Sequence, residues 1–192
     1  MPKIVKDEDI FQAVRKVIIE RGYASATTKE IADAANVSEI TLFRKYKNKA
    51  QLVKQAFLAF TGQMDFETST KYTGDVIADL TRVVEDYQTL VTLHGPFMAV
   101  LLTEIPRYPE LAQLLDRPFS IVSDIEQLIA RYQAEGVLRK EHPFRVVTAL
   151  LGPLVYTVMM RNAKSNIALP SPDLKEHVQF FLVGRCSKEI DI

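Results

Sequence analysis

The chain lacks the residue patterns on which most enzymes and secreted proteins depend. Its one cysteine, Cys186, excludes an intrachain disulfide and favours a reducing cytoplasm. Its three histidines, His94, His142 and His177, are scattered along the chain. It contains no metal-ligand spacing, glycine-rich phosphate loop or nucleophile elbow. We therefore predict no catalytic residue, no metal site and no cofactor.

A membrane-spanning run is also missing from the sequence. The longest mainly apolar stretch, residues 146–160, is interrupted by Gly152 and Pro153 and is shorter than the roughly 20 residues that a span needs. The first ten residues, MPKIVKDEDI, lack the apolar core of a signal peptide. We expect a soluble cytoplasmic protein that does not associate with a membrane.

The formal net charge is zero, but the charges are unevenly distributed. Residues 1–55 carry 11 Lys and Arg against 7 Asp and Glu, a net of +4, whereas residues 56–192 carry 13 against 17, a net of −4. A basic head on an acidic body is attracted to phosphates while its indiscriminate binding stays limited. The imbalance is too small to prove a nucleic-acid partner without a motif.

The motif lies in residues 27–49, TTKEIADAANVSEITLFRKYKNK. Thr27 and Glu30 have the spacing of a capping box, which begins a helix. Asn36 tolerates the left-handed conformation of a sharp turn, and Ser38 is a strong N-cap for a second helix. These signals together predict a helix-turn-helix, whose second helix enters the major groove of double-stranded DNA.

The helix after Ser38 is the predicted recognition helix. Ile40, Thr41 and Arg44 are expected to contact the groove, with Ile40 against a thymine methyl and Arg44 at a guanine edge or a phosphate. Glu39 also points outward, where it either accepts a hydrogen bond from cytosine or repels a wrong site.

Other polar and basic side chains are expected to hold phosphates and set the register on DNA. These are Thr28, Lys29, Tyr46, Lys47 and Lys49. Leu42 and Phe43 can face inward, and Asn48 can cap the following helix. The full predicted DNA-binding set is Thr28, Lys29, Ser38, Glu39, Ile40, Thr41, Phe43, Arg44, Lys45, Tyr46, Lys47 and Lys49. The alternative is a solvated hairpin whose basic residues only keep it soluble.

The segment TTKEIADAANVSEITLFRKYKNKAQL resembles the DNA-binding segment of the TetR family of bacterial transcriptional regulators. The resemblance extends over about the first 55 residues. Asn36 stands where the family usually has Gly. Phe43 and Tyr46 stand where it usually has Tyr and Phe, so Phe43 cannot supply the hydroxyl that often reaches a phosphate. The resemblance implies a ligand-gated regulator with a four-helix dimer interface.

The remaining sequence shows no sustained strand-like alternation, and its Pro and Gly residues separate helical segments. We predict an all-α fold of about nine helices, with Asp7 capping the first and Gly22 ending it. The expected later helices are 49–61, 75–93, 97–105, 108–115, 118–136, 143–163 and one from the Ser171 cap to about Lys188. A three-helix DNA-binding head (1–50, with helix 49–61 as linker) would precede a helical effector-binding and dimerisation body (51–192).

The last two helices are too apolar to face solvent in a monomer, so they predict a twofold dimer. The interface residues proposed from sequence are Leu151, Leu154, Val155, Val158, Val178, Phe181 and Leu182. Burial within one chain is the alternative. Dimerisation would space two recognition helices about one DNA turn apart (~34 Å), as a palindromic operator requires.

A second apolar set could line an effector pocket, although the sequence alone favours an ordinary helical core for each of its residues. Its members are His94, Phe97, Met98, Leu101, Leu102, Phe119, Tyr132, Tyr156, Met159 and Met160. Pro153 could kink its helix and leave space nearby. The sequence thus predicts a dimeric DNA-binding regulator, preferably a repressor released by a small apolar effector. The alternatives are an activator with the same head, or an all-helical enzyme or protein-interaction module that uses the hairpin as scaffold.

Overall fold

The computed structural model describes residues 6–63, 65–162 and 172–186. This part of the chain contains nine α-helices, one 3-10 helix and no β-strand, and a single isolated bridge pairs Leu138 with Cys186. The elements are α1 (Asp7–Ser25), α2 (Thr28–Ala34), α3 (Glu39–Tyr46), α4 (Lys49–Thr61), α5 (Phe66–Ser69), α6 (Val76–Glu104), the 3-10 helix (Pro109–Leu115), α7 (Asp116–Ala134), α8 (Pro143–Asn162) and α9 (Leu174–Leu182). The predicted all-α fold of about nine helices is confirmed.

The chain forms two compact units. Among the described residues, the first contains residues 6–63 together with residues 96–117, so α1 to α4 share a unit with the end of α6 and the 3-10 helix. In the part of the chain that the structure describes, the second contains residues 65–95, 118–162 and 172–186. The compact units therefore do not follow the sequence division at residue 50, and the assignment of functions to a head and a body stays a prediction.

The first unit is built on the buried face of α1, against which α2 and α4 pack. Val14, Ile18, Ile31 and Leu52 are each at most 1% exposed. Burying one such side chain contributes about 1.5–3 kcal/mol relative to leaving it in water. This core fixes the positions of the short helices that carry the predicted site.

Two details of α1 differ from the prediction. Lys6 occupies the N-cap position and makes no side-chain cap hydrogen bond, whereas Asp7 lies in the first turn. Asp7 therefore does not cap the helix, because its carboxylate contacts α3 instead. Gly22 interrupts the helix at a φ of 77°, as its predicted terminating role requires, but helical structure resumes and continues to Ser25.

α6 is one helix of 29 residues and not two, so the predicted break at Gly95-Pro96 is wrong. Proline removes one backbone donor and usually kinks a helix, but enough buried contact on either side can offset that cost. Leu90 and Val91 precede the proline, Phe97 and Leu101 follow it, and all four are buried. A Cβ on Gly95 would lie 3.2 Å from Val158 Cγ1, so the absence of a side chain there permits close packing on α8.

The second unit contains a buried carboxylate that the sequence did not reveal. Asp79 is 0% exposed and accepts hydrogen bonds from the Tyr132 hydroxyl at 2.5 Å and from Thr73 N and Oγ1 at 2.8 and 2.7 Å. Arg82 Nη2 lies 2.9 Å from the same carboxylate. Burial raises the pKa of Asp79, but these donors outweigh it and leave the pKa below its ordinary value of 3.8.

α9 is shorter than predicted. Asp173 caps it by accepting a hydrogen bond from Glu176 N at 3.0 Å, and the helix ends at Leu182, before the bridge residue Cys186. The predicted cap, Ser171, lies outside the described residues, as does Lys188. A turn at residues 183–185 stops the helix well short of the predicted end.

α8 follows its predicted limits. Among the described residues it is long and apolar enough to cross a membrane by length and composition alone, a test that core helices of soluble proteins also pass. Val146, Leu150 and Leu154 are at most 2% exposed within the subunit. His177 Nε2 lies 2.8 Å from the carbonyl oxygen of Leu150, which connects α9 to α8. One face of α8 is thus buried within the chain, whereas Phe144, Tyr156 and Met159 are exposed.

Candidate DNA-binding surface

The start of α2 has the predicted capping box. Thr27 Oγ1 accepts from Glu30 N at 3.1 Å, and Glu30 Oε2 accepts from Thr27 N at 3.0 Å. The pKa of Glu30 is lowered by these hydrogen bonds to Thr27. Two backbone donors of the first turn are thus satisfied, so α2 begins at the predicted residue.

The turn between α2 and α3 also matches its predicted chemistry. Asn36 has a φ of 55°, which is the left-handed conformation. Val37 N donates to Ala32 O at 3.0 Å, and the half-buried Val37 side chain packs on the core. Ser38 Oγ then accepts from Thr41 N at 3.2 Å and caps α3. The chain therefore reverses within a few residues and presents α3 at a fixed angle to α2.

Two of the three predicted groove residues, Ile40 and Arg44, lie on an exposed face of α3, whereas Thr41 is half-buried and its hydroxyl oxygen lies 2.8 Å from Ser38 Oγ. Ile40 is 79% exposed, and Arg44 is also exposed. Leu42 and Tyr46 are 2% and 7% exposed, since residues four apart share one face of a helix. Phe43 was predicted to face inward, but it is 46% exposed. The inward position is filled by Tyr46, one turn beyond Leu42.

Thr28 and Glu39, both predicted to contact DNA, bind each other in this structure. Thr28 Oγ1 donates to Glu39 Oε1 at 2.5 Å. This bond ties the first turn of α2 to the first turn of α3. It orients the Glu39 carboxylate at the N-terminus of the exposed helix.

Tyr46 and Lys45 both contact Asp7 of α1. The Tyr46 hydroxyl donates to Asp7 Oδ1 at 2.9 Å, and Lys45 Nζ donates to the same oxygen. Burial and the Asp7 carboxylate together raise the pKa of Tyr46, so the hydroxyl stays protonated. A buried phenol that donates within the protein is poorly placed to hold a phosphate, and the predicted phosphate contact of Tyr46 has no support here.

Lys49 likewise faces the protein. Its ammonium donates to the carbonyl oxygens of Tyr23 and Ala26 at 2.8 and 3.0 Å and lies 4.3 Å from the centre of the Tyr23 ring. Burial lowers the pKa of Lys49, and the Glu110 carboxylate partly opposes that shift. The side chain stabilises the end of α1, a role that the sequence did not indicate.

Lys29 and Lys47 remain exposed. Lys47 has a φ of 66° at the C-terminus of α3, which turns the chain so that Asn48 can cap α4 by accepting from Gln51 N at 2.9 Å. A groove of about 680 Å³ lies beside this turn. Its lining residues are Asp7, Phe11, Lys45, Tyr46, Lys47, Asn48, Gln51 and Gln55.

The predicted pocket residues divide between the two units. Phe97, Met98, Leu101 and Leu102 belong to the first unit, and the other six belong to the second. Phe97 packs edge-on against Phe60 with ring centres 5.7 Å apart, and Tyr132 binds Asp79. Three members are on the surface: Phe119 (60% exposed), Tyr156 (64%) and Met159 (48%). The pocket stays a prediction, and Phe97 and Tyr132 have ordinary core roles.

Most residues of the predicted dimer interface are buried within a single copy of the chain, and their role in association stays a prediction. Six of the seven are buried within one subunit and offer little surface to a second copy; they are Leu151, Leu154, Val158, Val178, Phe181 and Leu182. Val155 is half-buried. The exposed apolar side chains of the same two helices are Tyr156, Met159 and Phe180, with Val183 directly after α9.

Comparison with known proteins agrees with this geometry. Residues 10–56 match the model of the bacterial regulatory proteins of the tetR family. The uncharacterized HTH-type transcriptional regulator YvkB of Bacillus subtilis (strain 168) is 39% identical over 74 residues, which are 38% of this chain and 39% of that protein. The match therefore spans well under half of YvkB.

Solved structures resemble nearly the whole chain. The TetR family transcriptional regulator PfmR from Thermus thermophilus superposes with a TM-score of 0.71 at 16% identity, over 91% of this chain and 96% of PfmR. The flavonoid-responsive regulator FrrA gives a TM-score of 0.64 at 20% identity, over 94% of this chain and 96% of FrrA. At these identities the likeness establishes a shared fold.

Proposed function

We propose that this chain, which belongs to the tetR family of bacterial regulatory proteins, is a homodimeric repressor that a small apolar molecule releases from a palindromic operator. The observation that carries the proposal is the exposed face of α3, where Ile40 and Arg44 project from a helix that a capped, left-handed turn holds in place. An exposed helix of this kind fits the major groove of B-form DNA.

Three side chains of α3, those of Glu39, Ile40 and Arg44, have distinct roles in the proposed complex. Ile40 supplies an apolar surface for a thymine methyl, and the Arg44 guanidinium can donate two hydrogen bonds to guanine. The Glu39 carboxylate, oriented by Thr28, suits the amino group of cytosine. Lys29 and Lys47 are exposed cations that can neutralise phosphates on either side.

Dimerisation is proposed through the exposed apolar face of α8 and the end of α9. Tyr156, Met159, Phe180 and Val183 are between 48% and 70% exposed in a single copy of the chain, and larger patches of exposed apolar side chains mark protein–protein interaction sites. A second copy could cover them across a twofold axis. Two heads would then read two half-sites of one palindrome, which supplies the specificity that one short helix lacks.

Release by an effector follows from thermodynamic linkage. In the proposed mechanism, the effector binds more tightly to the form of the dimer whose heads are spaced wrongly for the operator. The factor by which bound effector then weakens DNA binding equals the factor by which bound DNA weakens effector binding. FrrA is named as responsive to a flavonoid, which supports a small aromatic or apolar effector for a chain of the same fold. α4 is the proposed lever because Asn48 and Lys49 join it directly to the end of α3. Such a repressor would act in the cytoplasm.

Selection of DNA by the purified protein tests the proposal. The protein is mixed with random double-stranded fragments, and the retained fragments are sequenced. We expect a palindrome whose half-sites lie about 10 base pairs apart, centre to centre. The variant Arg44→Ala, carried through the same selection, should enrich no such sequence. If the wild-type protein enriched no sequence either, the hairpin would be scaffolding of an interaction module or enzyme.

A further inference from the structure

An acidic side chain of α1, that of Asp7, contacts the last two residues of the recognition helix α3. Asp7 Oδ1 accepts hydrogen bonds from both Lys45 Nζ and the Tyr46 hydroxyl. The side chains of Asp7 and Lys45 are each 46% exposed, so both lie at the protein surface. The helix that would enter the groove therefore has one of its cations paired within the subunit.

The position of the Asp7 carboxylate is fixed by a buried neighbour. Tyr46 is 7% exposed and cannot move without disturbing the core, so its hydroxyl holds Asp7 Oδ1 at 2.9 Å. Lys45 Nζ lies 5.6 Å from the centre of the same ring. The hydrogen bond from Lys45 lowers the pKa of Asp7, and the carboxylate is thus ionised throughout the physiological range.

We propose that Asp7 competes with the DNA backbone for the Lys45 ammonium and so weakens binding of the head to DNA of any sequence. The inference rests on the proposed function and concerns the regulation of the same surface. In this proposal Asp7 contacts neither a base nor a phosphate. It acts through Lys45, whose ammonium is less available to a phosphate while it is paired with Asp7.

The groove beside the pair favours competition for a phosphate. Lys45, Lys47 and three side-chain amides, from Asn48, Gln51 and Gln55, line the same 680 Å³ groove as Asp7. Ammonium and amide groups are suitable donors to a sugar-phosphate backbone. A phosphate placed among them would also lie near one carboxylate, that of Asp7. The repulsion between these two negative charges weakens DNA binding further, beyond the effect of pairing Lys45 with Asp7.

The size of the effect follows from the exposure of the pair. Exposed ion pairs contribute about 0.2–1 kcal/mol, which corresponds to an affinity change of about 1.4- to fivefold. Because the Tyr46 hydroxyl also holds this carboxylate in place, we expect the upper part of that range, about two- to fivefold per head. Each additional phosphate contact steepens the dependence of log affinity on log salt concentration by about 0.9. Removal of the Asp7 charge should therefore give tighter binding that is also more sensitive to salt.

The test uses Asp7→Asn in the full chain, with Asp9→Asn as the matched control. Asn keeps an oxygen that can accept from Tyr46, and Asp9 is an exposed acid of the same helical turn. Affinity for one fixed duplex of random sequence is measured by fluorescence anisotropy at several salt concentrations. We expect Asp7→Asn to bind two- to fivefold tighter per head with a steeper salt slope, and Asp9→Asn to change affinity less than twofold.

A second substitution, Lys45→Gln, is made in the wild type and in Asp7→Asn. It tests whether Asp7 affects DNA affinity through Lys45. The loss of affinity caused by Lys45→Gln should be larger in the Asp7→Asn background than in the wild type. Equal losses in the two backgrounds, or equal effects of Asp7→Asn and Asp9→Asn, would overturn the proposal while the wild type still binds DNA. If the wild type bound no duplex, the proposed function itself would fail. Should Asp7→Asn not fold, a loss above tenfold from Lys45→Gln in the wild type would overturn the competition.

Discussion

The Lys49 ammonium lies 2.8 Å from the carbonyl oxygen of Tyr23 and 4.3 Å from the centre of its ring. Tyr23 in turn donates from its hydroxyl to Glu110 Oε1 at 3.4 Å, and burial with the Glu110 charge raises the pKa of Tyr23 to about 12. The cation at the start of α4 thus satisfies carbonyls at the end of α1, where a helix leaves acceptors without partners. Lys49 holds the first unit together, whereas Lys47, two residues earlier, remains exposed.

The two lysines should consequently separate stability from DNA affinity. Lys49→Gln should lower the free energy of unfolding by about 1–2 kcal/mol, because two carbonyl oxygens lose a charged donor. Lys47→Gln should leave stability within about 0.5 kcal/mol but reduce the salt slope of DNA binding by about 0.9. Urea denaturation and anisotropy titrations measure the two quantities. A fully stable Lys49→Gln that lost DNA affinity would restore the phosphate role predicted from sequence.

The residues that the sequence predicted well are those whose partners lie within a few positions. Thr27, Ser38 and Asn48 each bind a backbone donor three residues away, so residue type and spacing suffice. Asn36 likewise has its left-handed φ for local reasons.

The roles that the sequence missed depend on distant partners. Lys49 binds a carbonyl 26 residues away, and Tyr46 binds a carboxylate 39 residues away. A pattern of outward-facing polar residues cannot distinguish a side chain aimed at DNA from one that reaches a neighbouring helix. The same limit applies to Phe181, since an apolar residue of a terminal helix fits a core and an interface equally well.

Arg44 should be required for recognition but not for folding. Its side chain is exposed on α3, so Arg44→Ala should change the free energy of unfolding by less than about 0.5 kcal/mol. A lost guanidinium contact to a base costs about 1–3 kcal/mol of binding free energy per head. Footprinting on the selected operator, with thermal melting in parallel, measures both. If Arg44→Ala protected the operator at the same protein concentrations as the wild type, Arg44 would not contribute a contact in the groove.

Stability should depend on Asp79 in a pH-dependent manner. Its pKa in the folded protein is below 3.8, so its contribution is complete above that value and is lost as pH falls through the folded pKa. Asp79→Asn should cost roughly 3 kcal/mol near neutral pH, because an amide cannot accept from Tyr132, Thr73 and Arg82 together. The difference from wild type should shrink below about pH 4.

Urea denaturation of both proteins from about pH 3 to pH 7 measures the difference between their free energies of unfolding. The pH-dependent contributions of the other carboxylates are nearly the same in both proteins and largely cancel in this difference. Asp75→Asn is the matched control. Asp75 is exposed and accepts a hydrogen bond from Ala78 N at 3.0 Å in the first turn of α6, and Asn is an equally good cap. A difference for Asp79→Asn that stayed constant across this pH range would show that the carboxylate is not the group responsible.

Substitution of two adjacent phenylalanines of α9 should affect different properties, association for Phe180 and stability for Phe181. Phe180 is 70% exposed and Phe181 is 6% exposed, so only Phe180 has surface to offer a second copy. Phe180→Glu should yield a folded monomer, because a carboxylate in an apolar interface must be desolvated. Phe181→Ala should instead destabilise the subunit by about 3–5 kcal/mol, the usual cost of emptying a buried aromatic site.

Light scattering of the purified variants gives their mass, and circular dichroism confirms that they are folded. Lys175→Glu, at an exposed position of the same helix, shows whether added negative charge alone prevents association. A dimer that survives Phe180→Glu would place the interface away from the end of α9. A folded monomer would instead leave each head to bind a half-site alone, and its affinity for the palindrome should then fall to that for a single half-site, because the two heads no longer act as one body.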